Sequence, residues 1–187
     1  MRKIALSCCV ALFVVTSVLE ARAASLAGVA LPDTVQAGDT TLVLNGLGLR
    51  KKMLVKVYVA GLYVKQKSSD AGAILDAGVP KRLVMQFVRG VSKDQLVEAF
   101  AESFDNNAPE ARKTMKADLD RFFGAIEAVK EGDQLVFTYL PGKGTTVAIH
   151  GKEKLTIEAT AFSSALFSVW LGPKPPTADL KKGILGL

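Results

Sequence analysis

The 187-residue chain sets 24 Lys and Arg against 18 Asp and Glu, for a net charge of +6, and is 49% apolar. Its cations are scattered over every segment with no basic stripe and no aromatic interleaving, which excludes a nucleic-acid footprint. Basicity this mild favours an acidic ligand or a membrane surface only weakly.

The N-terminus reads as a targeting segment. Arg2 and Lys3 precede an almost unbroken apolar run, Ile4 to Leu19, and Ala21-Arg22-Ala23 supplies a small-x-small cleavage pattern. The run is roughly 16 residues, short of the about 20 that a membrane span needs, so a secretory signal cleaved after Ala23 is expected. Residues 1–23 are then the signal and 24–187 one domain without a transmembrane segment. Losing Arg2, Lys3, Arg22 and Glu20 lowers the net charge from +6 to +4. Cys8 and Cys9, the only cysteines, lie in the signal, and Ala5-Leu6-Ser7-Cys8 is a poor lipoprotein box. The mature chain therefore has no thiol, disulfide or Cys-based metal site and rests on its apolar core.

Gly28 to Ala37 is a short apolar stretch broken by Pro32, fit for an edge strand or arm. After a turn at Ala37-Gly38-Asp39, Thr41–Leu49 and Met53–Val64 read as strands, the second apolar on both alternate faces except for Lys56 and Tyr58. Ser68-Ser69-Asp70 opens a short helix carrying Ile74 and Leu75 and stopped at Gly78. Lys81–Arg89 alternates as a strand. Ser92-Lys93-Asp94-Gln95 is a capping box before a helix bearing Leu96, Phe100 and Phe104. Asn106-Asn107 interrupts it, and Pro109 starts the next helix, with the stripe Met115, Leu119, Phe122, Phe123 and Ile126. Gln134–Leu140, Thr145–His150 and Lys154–Ala159 form an antiparallel meander. Thr160 is expected to cap a long helix carrying Phe162, Ala165, Leu166, Val169 and Trp170, stopped by Gly172-Pro173. Thr177–Ile184 forms a final short helix. Strands, helices, strands and a helix make an α+β fold, with a large, mostly antiparallel sheet and its helices on one face.

Much chemistry is excluded. Gly46-x-Gly48 is no dinucleotide fingerprint, because Lys51 stands at the third glycine and a strand follows where a helix should open. Gly142-Lys143-Gly144-Thr145 is a hairpin turn rather than a phosphate loop. His150 is the only histidine, so a zinc site lacks ligands and a hydrolase lacks its Gly-x-Ser-x-Gly elbow. Asp118, Asp120 and Glu127 are too loosely placed to pair. No metal and no cofactor is expected.

Gly46-Leu47-Gly48-Leu49-Arg50 and Lys56-Val57-Tyr58-Val59-Ala60-Gly61-Leu62-Tyr63-Val64, with Ser164-Ala165-Leu166 and Trp170-Leu171-Gly172 near the end, resemble the chalcone isomerase superfamily. The likeness is greatest to its bacterial, exported branch. It implies an open-faced sandwich, a large antiparallel sheet against a layer of helices, and a periplasmic location. In the family an arginine stabilises an anionic substrate during ring closure of a chalcone, beside Thr, Tyr and Asn side chains. Arg50 matches the arginine. The threonine position holds Tyr58, the tyrosine position falls at about Ser92, and the asparagine at about Ala99, so the catalytic set is not kept. A late Ser or Thr lies near Ser163-Ser164.

Arg50 followed by Tyr58 is similar instead to the fatty-acid-binding members, which implies a carboxylate head held by guanidinium and phenol with its tail between sheet and helices. Lys56 is a third candidate ligand-binding residue. In one straight strand Arg50 and Tyr58 would stand ~26 Å apart at about 3.3 Å per residue, so sharing a ligand requires a turn near Lys51–Met53. The other role open to the pair is a solvated strand end and a core tyrosine. The leading expectation is a non-catalytic, monomeric periplasmic protein binding a small amphipathic carboxylate or phenolic ligand. The alternatives are an isomerase or intramolecular lyase acting on a phenolic or enone substrate, and an interaction module without a small ligand.

Overall fold

The structure is a computed structural model that describes residues 23–187; the expected signal segment lies outside the described residues apart from Ala23. β1 (Ala23–Leu26) and β2 (Val29–Pro32) form a two-stranded ribbon. β3 (Thr34–Ala37), β4 (Thr40–Lys52), β5 (Val55–Val64), β6 (Lys81–Phe87), β7 (Gln134–Leu140), β8 (Gly144–Ile149) and β9 (Lys152–Ile157) form one sheet in sequence order, antiparallel throughout. The helices are α1 (Ala71–Leu75), α2 (Lys93–Asn107), α3 (Pro109–Thr114), α4 (Lys116–Ala125), α5 (Thr160–Leu171) and α6 (Ala178–Ile184).

At β5 both faces of the sheet are covered, which explains why this strand is apolar on both. Tyr58, Ala60, Leu62 and Val64 belong to the main core under the helices. Val59 and Tyr63 face the other way, where Val29 and Leu31 of the ribbon close over them with Leu42 and Leu44. The Tyr63 hydroxyl donates to Pro32 O at 2.9 Å and so ties the ribbon down. The apolar stretch around Pro32 is thus two elements, one strand of the ribbon and the edge strand of the sheet.

The local signals act as their chemistry requires. Ser92 accepts from Gln95 N and the Gln95 side chain from Ser92 N, each at 3.2 Å, completing the capping box. α2 ends at the residue before Ala108, whose position ahead of Pro109 disfavours helical geometry. Three expectations are corrected. The helix begun at Pro109 is two helices, offset at Met115 (φ −125°), where no Gly or Pro betrays the break. Thr160 is the first residue of α5 and not its cap; Ala159 precedes the helix and no side chain caps it. His150 lies outside β8, in the turn, with φ 53°.

Candidate functional site

β4 and β5 are joined by a two-residue turn, Met53-Leu54, with Lys52 opposite Val55. That turn brings Arg50 and Tyr58 together as direct cross-strand partners. Such residues share a face, with Cβ atoms about 5 Å apart, so the separation of an extended strand does not apply. Val57 is an extra residue between this pair and the next, Lys51 with Lys56. The bulge breaks the alternation that would otherwise continue the Tyr58 face to Lys56, which is exposed nearer the turn.

Tyr58 is 7% exposed and its hydroxyl accepts from Trp170 Nε1 at 3.1 Å. Among the hydrogen bonds of the described residues it donates none, whereas the hydroxyls of Tyr63 and Tyr139 both donate to carbonyls. Burial pushes the Tyr58 phenol up to about 12, against the Trp170 hydrogen bond and the nearby Arg50 charge, which pull it down. The group is therefore a neutral, buried donor with an unspent proton. Arg50 is half-buried and donates to the carbonyl of Lys51.

The space beneath is filled by the protein's own rings. Phe87 lies 5.6 Å from Tyr58 between centroids, Phe137 lies 5.5 Å from Trp170, and Phe100 meets Phe122, Phe137 and Trp170 edge-on. Two clefts open elsewhere: one of about 470 Å³ between the ribbon and β4, lined by Asp33, Asn45 and Lys67 among others, and one of about 260 Å³ beside Arg112 and Phe123. Neither reaches Arg50 or Tyr58.

The glycines before Arg50 have a different task. A Cβ on Gly46 would stand 2.2 Å from Gly183 O, and one on Gly48 2.3 Å from Leu180 O. Gly183 in turn lies against Leu47 O and the Gly48 Cα. The Gly-x-Gly pair is thus a floor on which α6 rests backbone to backbone. Asn45, the bulged residue before it, donates to Ser68 O and Ile184 O and accepts from Ser68 N, all within 2.9 Å. The segment that opens the family resemblance holds α6 in place and delivers Arg50 at the end of the docked surface.

Other polar groups lie apart from this pair. Lys81 is wholly buried, donates to Asp76 O at 2.8 Å and stands over the rings of Tyr139 and Phe167; burial lowers it to about 8, against the pull of Asp76. Its place at the start of a strand, next to Arg82, hid it as an ordinary strand-end lysine. The Ser163 and Thr145 hydroxyls are buried with no partner among the described residues. His150 bridges Asp133 at 3.3 Å and Glu127 at 3.7 Å on the surface. Among the described residues no such cluster is arranged to hold a metal. Ser92 and Ala99 are exposed on α2.

A sequence model described as chalcone isomerase-like matches residues 23–186. Among solved structures, a fatty-acid-binding protein of Arabidopsis thaliana superimposes with a TM-score of 0.67 at 16% identity, over 88% of this chain and 96% of that one. At that identity the likeness is one of fold. No curated protein sequence matches.

Proposed function

The chain belongs to the chalcone isomerase-like family, and we propose that within it this protein is a non-catalytic, periplasmic binder of a small amphipathic anion such as a fatty acid. The observation that carries the reading is the registered pair Arg50–Tyr58. A carboxylate at that point meets a fixed cation and a neutral phenol with a proton to give, and charge-assisted hydrogen bonds of this kind are the strong ones. Lys56 adds a second cation at the rim. An acyl tail would enter the aromatic seam beneath by displacing the Phe87 and Trp170 rings, and each buried methylene contributes roughly 0.8 kcal/mol. That the solved protein of like fold is named as fatty-acid-binding supports the choice of ligand.

The non-catalytic half rests on what stands at the positions of the family's other catalytic side chains. Tyr58 replaces the family threonine, Ser92 spends its hydroxyl on capping α2, and Ala99 has no polar group. The basic, apolar and small-x-small order of residues 1–23 supports export.

Mass spectrometry of lipid extracted from the protein purified after expression tests the proposal. A bound fatty acid is expected in the wild type, absent in Arg50→Ala and held about tenfold more weakly in Tyr58→Phe. Wild-type protein without an acyl anion, or Arg50→Ala that retains it, overturns the reading. Conversion of a chalcone to a flavanone, abolished in Arg50→Ala, overturns the non-catalytic part. Recovery of the protein in the cytoplasm with Met1 still attached overturns export.

A further inference from the structure

The turn between β4 and β5 is built against the usual rules. Two-residue hairpin loops favour Asn, Asp and Gly, which accept positive φ. Here Met53 takes φ 56°, and Met53 and Leu54 are 93% and 96% exposed. With Val55, at 44%, they are three of the four large apolar side chains exposed among the described residues. All three sit at one protruding tip. Strain and exposure held at a single point mark it out as a place to look for a function.

Charge identifies the occupant. The tip is ringed by Arg50, Lys51, Lys52 and Lys56, and the sequence contains no Asp or Glu between Asp39 and Asp70. Lys51, Lys52 and Lys56 are exposed. Arg89, also exposed, follows β6 on the same side, where Val88 N bonds Val57 O at 3.0 Å. An apolar point on a hairpin whose only charged side chains are basic matches an anionic lipid surface: the side chains enter the acyl boundary while the lysines stay among the headgroups. A protein partner with an acidic rim would need a pocket for two almost fully solvated side chains, and nothing in the shape of the tip specifies one.

We propose that the Met53-Leu54 tip docks the protein onto anionic membranes. The Arg50–Tyr58 pair stands three and four residues behind the tip on the two strands, so docking sets that pair at the headgroup level. The inference rests on the tip alone and does not require that an acyl anion binds.

The test uses protein expressed from the whole 187-residue sequence, sedimented with vesicles of equal parts phosphatidylglycerol and phosphatidylcholine or of phosphatidylcholine alone. Binding to the anionic vesicles only, weakening with salt, is expected. Met53→Ser/Leu54→Ser should lower it on the order of 100-fold, and Lys51→Ala/Lys52→Ala roughly 10- to 30-fold. All variants share one N-terminus, so the apolar run at residues 4–19 contributes equally. The substituted side chains are exposed, and an unchanged thermal melt shows that lost binding is not lost folding. Wild-type protein that ignores anionic vesicles, or a tip variant that binds as well as wild type, overturns the proposal. So does a dimer in analytical ultracentrifugation that the tip variant dissolves without any vesicle binding, which assigns the tip to a second copy of the chain. Lipid extraction of the same preparations separates the two readings. Vesicle binding without a fatty acid upholds the docking tip and overturns the ligand; a fatty acid without vesicle binding does the reverse.

Discussion

Trp170 Nε1 donates to the Tyr58 hydroxyl at 3.1 Å, so the last turn of α5 is keyed to the second strand of the hairpin. Both residues are buried. Trp170→Phe keeps an aromatic ring there but removes the donor. A loss of about 1–3 kcal/mol in urea denaturation is expected. Because that hydrogen bond pulls Tyr58 down against the burial that holds it at about 12, its ionisation should move higher still, read by phenolate absorbance.

Lys81 should leave a mark on the pH dependence of stability. Burial lowers it to about 8 from an ordinary 10.5. Below pH 8 the folded chain must carry a buried ammonium, and the cost is fully present. Between pH 8 and 10.5 the unfolded chain binds a proton that the folded chain does not, so stability rises with pH. Lys81→Met removes this slope, and the stability difference between variant and wild type should change by roughly 3 kcal/mol across that window. Urea midpoints at a series of pH values measure it. Tyr58 and Tyr63, both raised by burial to about 12, act oppositely, lowering stability as pH rises from 10.

The glycine floor makes a paired prediction. Gly48→Ala would set a methyl 2.3 Å from the Leu180 carbonyl, which cannot yield unless α6 moves. Destabilisation of about 3 kcal/mol is expected, with similar values for Gly46→Ala and Gly183→Ala. Gly124→Ala, where nothing lies within 4 Å in a helix, should instead stabilise by roughly 0.5–1 kcal/mol. Chemical denaturation of the four variants tests the contrast.

At the hairpin tip, stability and docking should part company. Met53→Gly relieves a left-handed conformation that costs an L-residue about 1 kcal/mol, so the melting temperature should rise while vesicle binding falls. A substitution that improves the fold and harms the surface would be hard to explain if the tip served only as a turn.

Periodicity in the sequence carried most of the architecture. The meander, the Ser92 capping box and the aromatic stripes of α2 and α5 are local patterns, and local physics formed them as expected. What stayed hidden was long-range or unsignalled. Met53-Leu54 has none of the residues that announce a turn, so Arg50 and Tyr58 looked distant when they are partners. Gly46 and Gly48 were legible as a motif, but their reason lies in a helix more than 130 residues later. Met115 interrupts a helix without Gly or Pro. Lys81 is buried only because the α1–β6 connection and the rings of Tyr139 and Phe167 close over it. The face that carries Arg50 could be read from the residue pattern; the packed seam beneath it depends on which rings meet from six separate elements.

The bond from Asn45 to Ile184 spans 139 residues. During synthesis, therefore, the glycine floor of β4 stays bare until α6 has been made. A premature stop anywhere before α6 is in effect a lesion of the N-terminal hairpin, leaving it uncovered however well its own strands have paired.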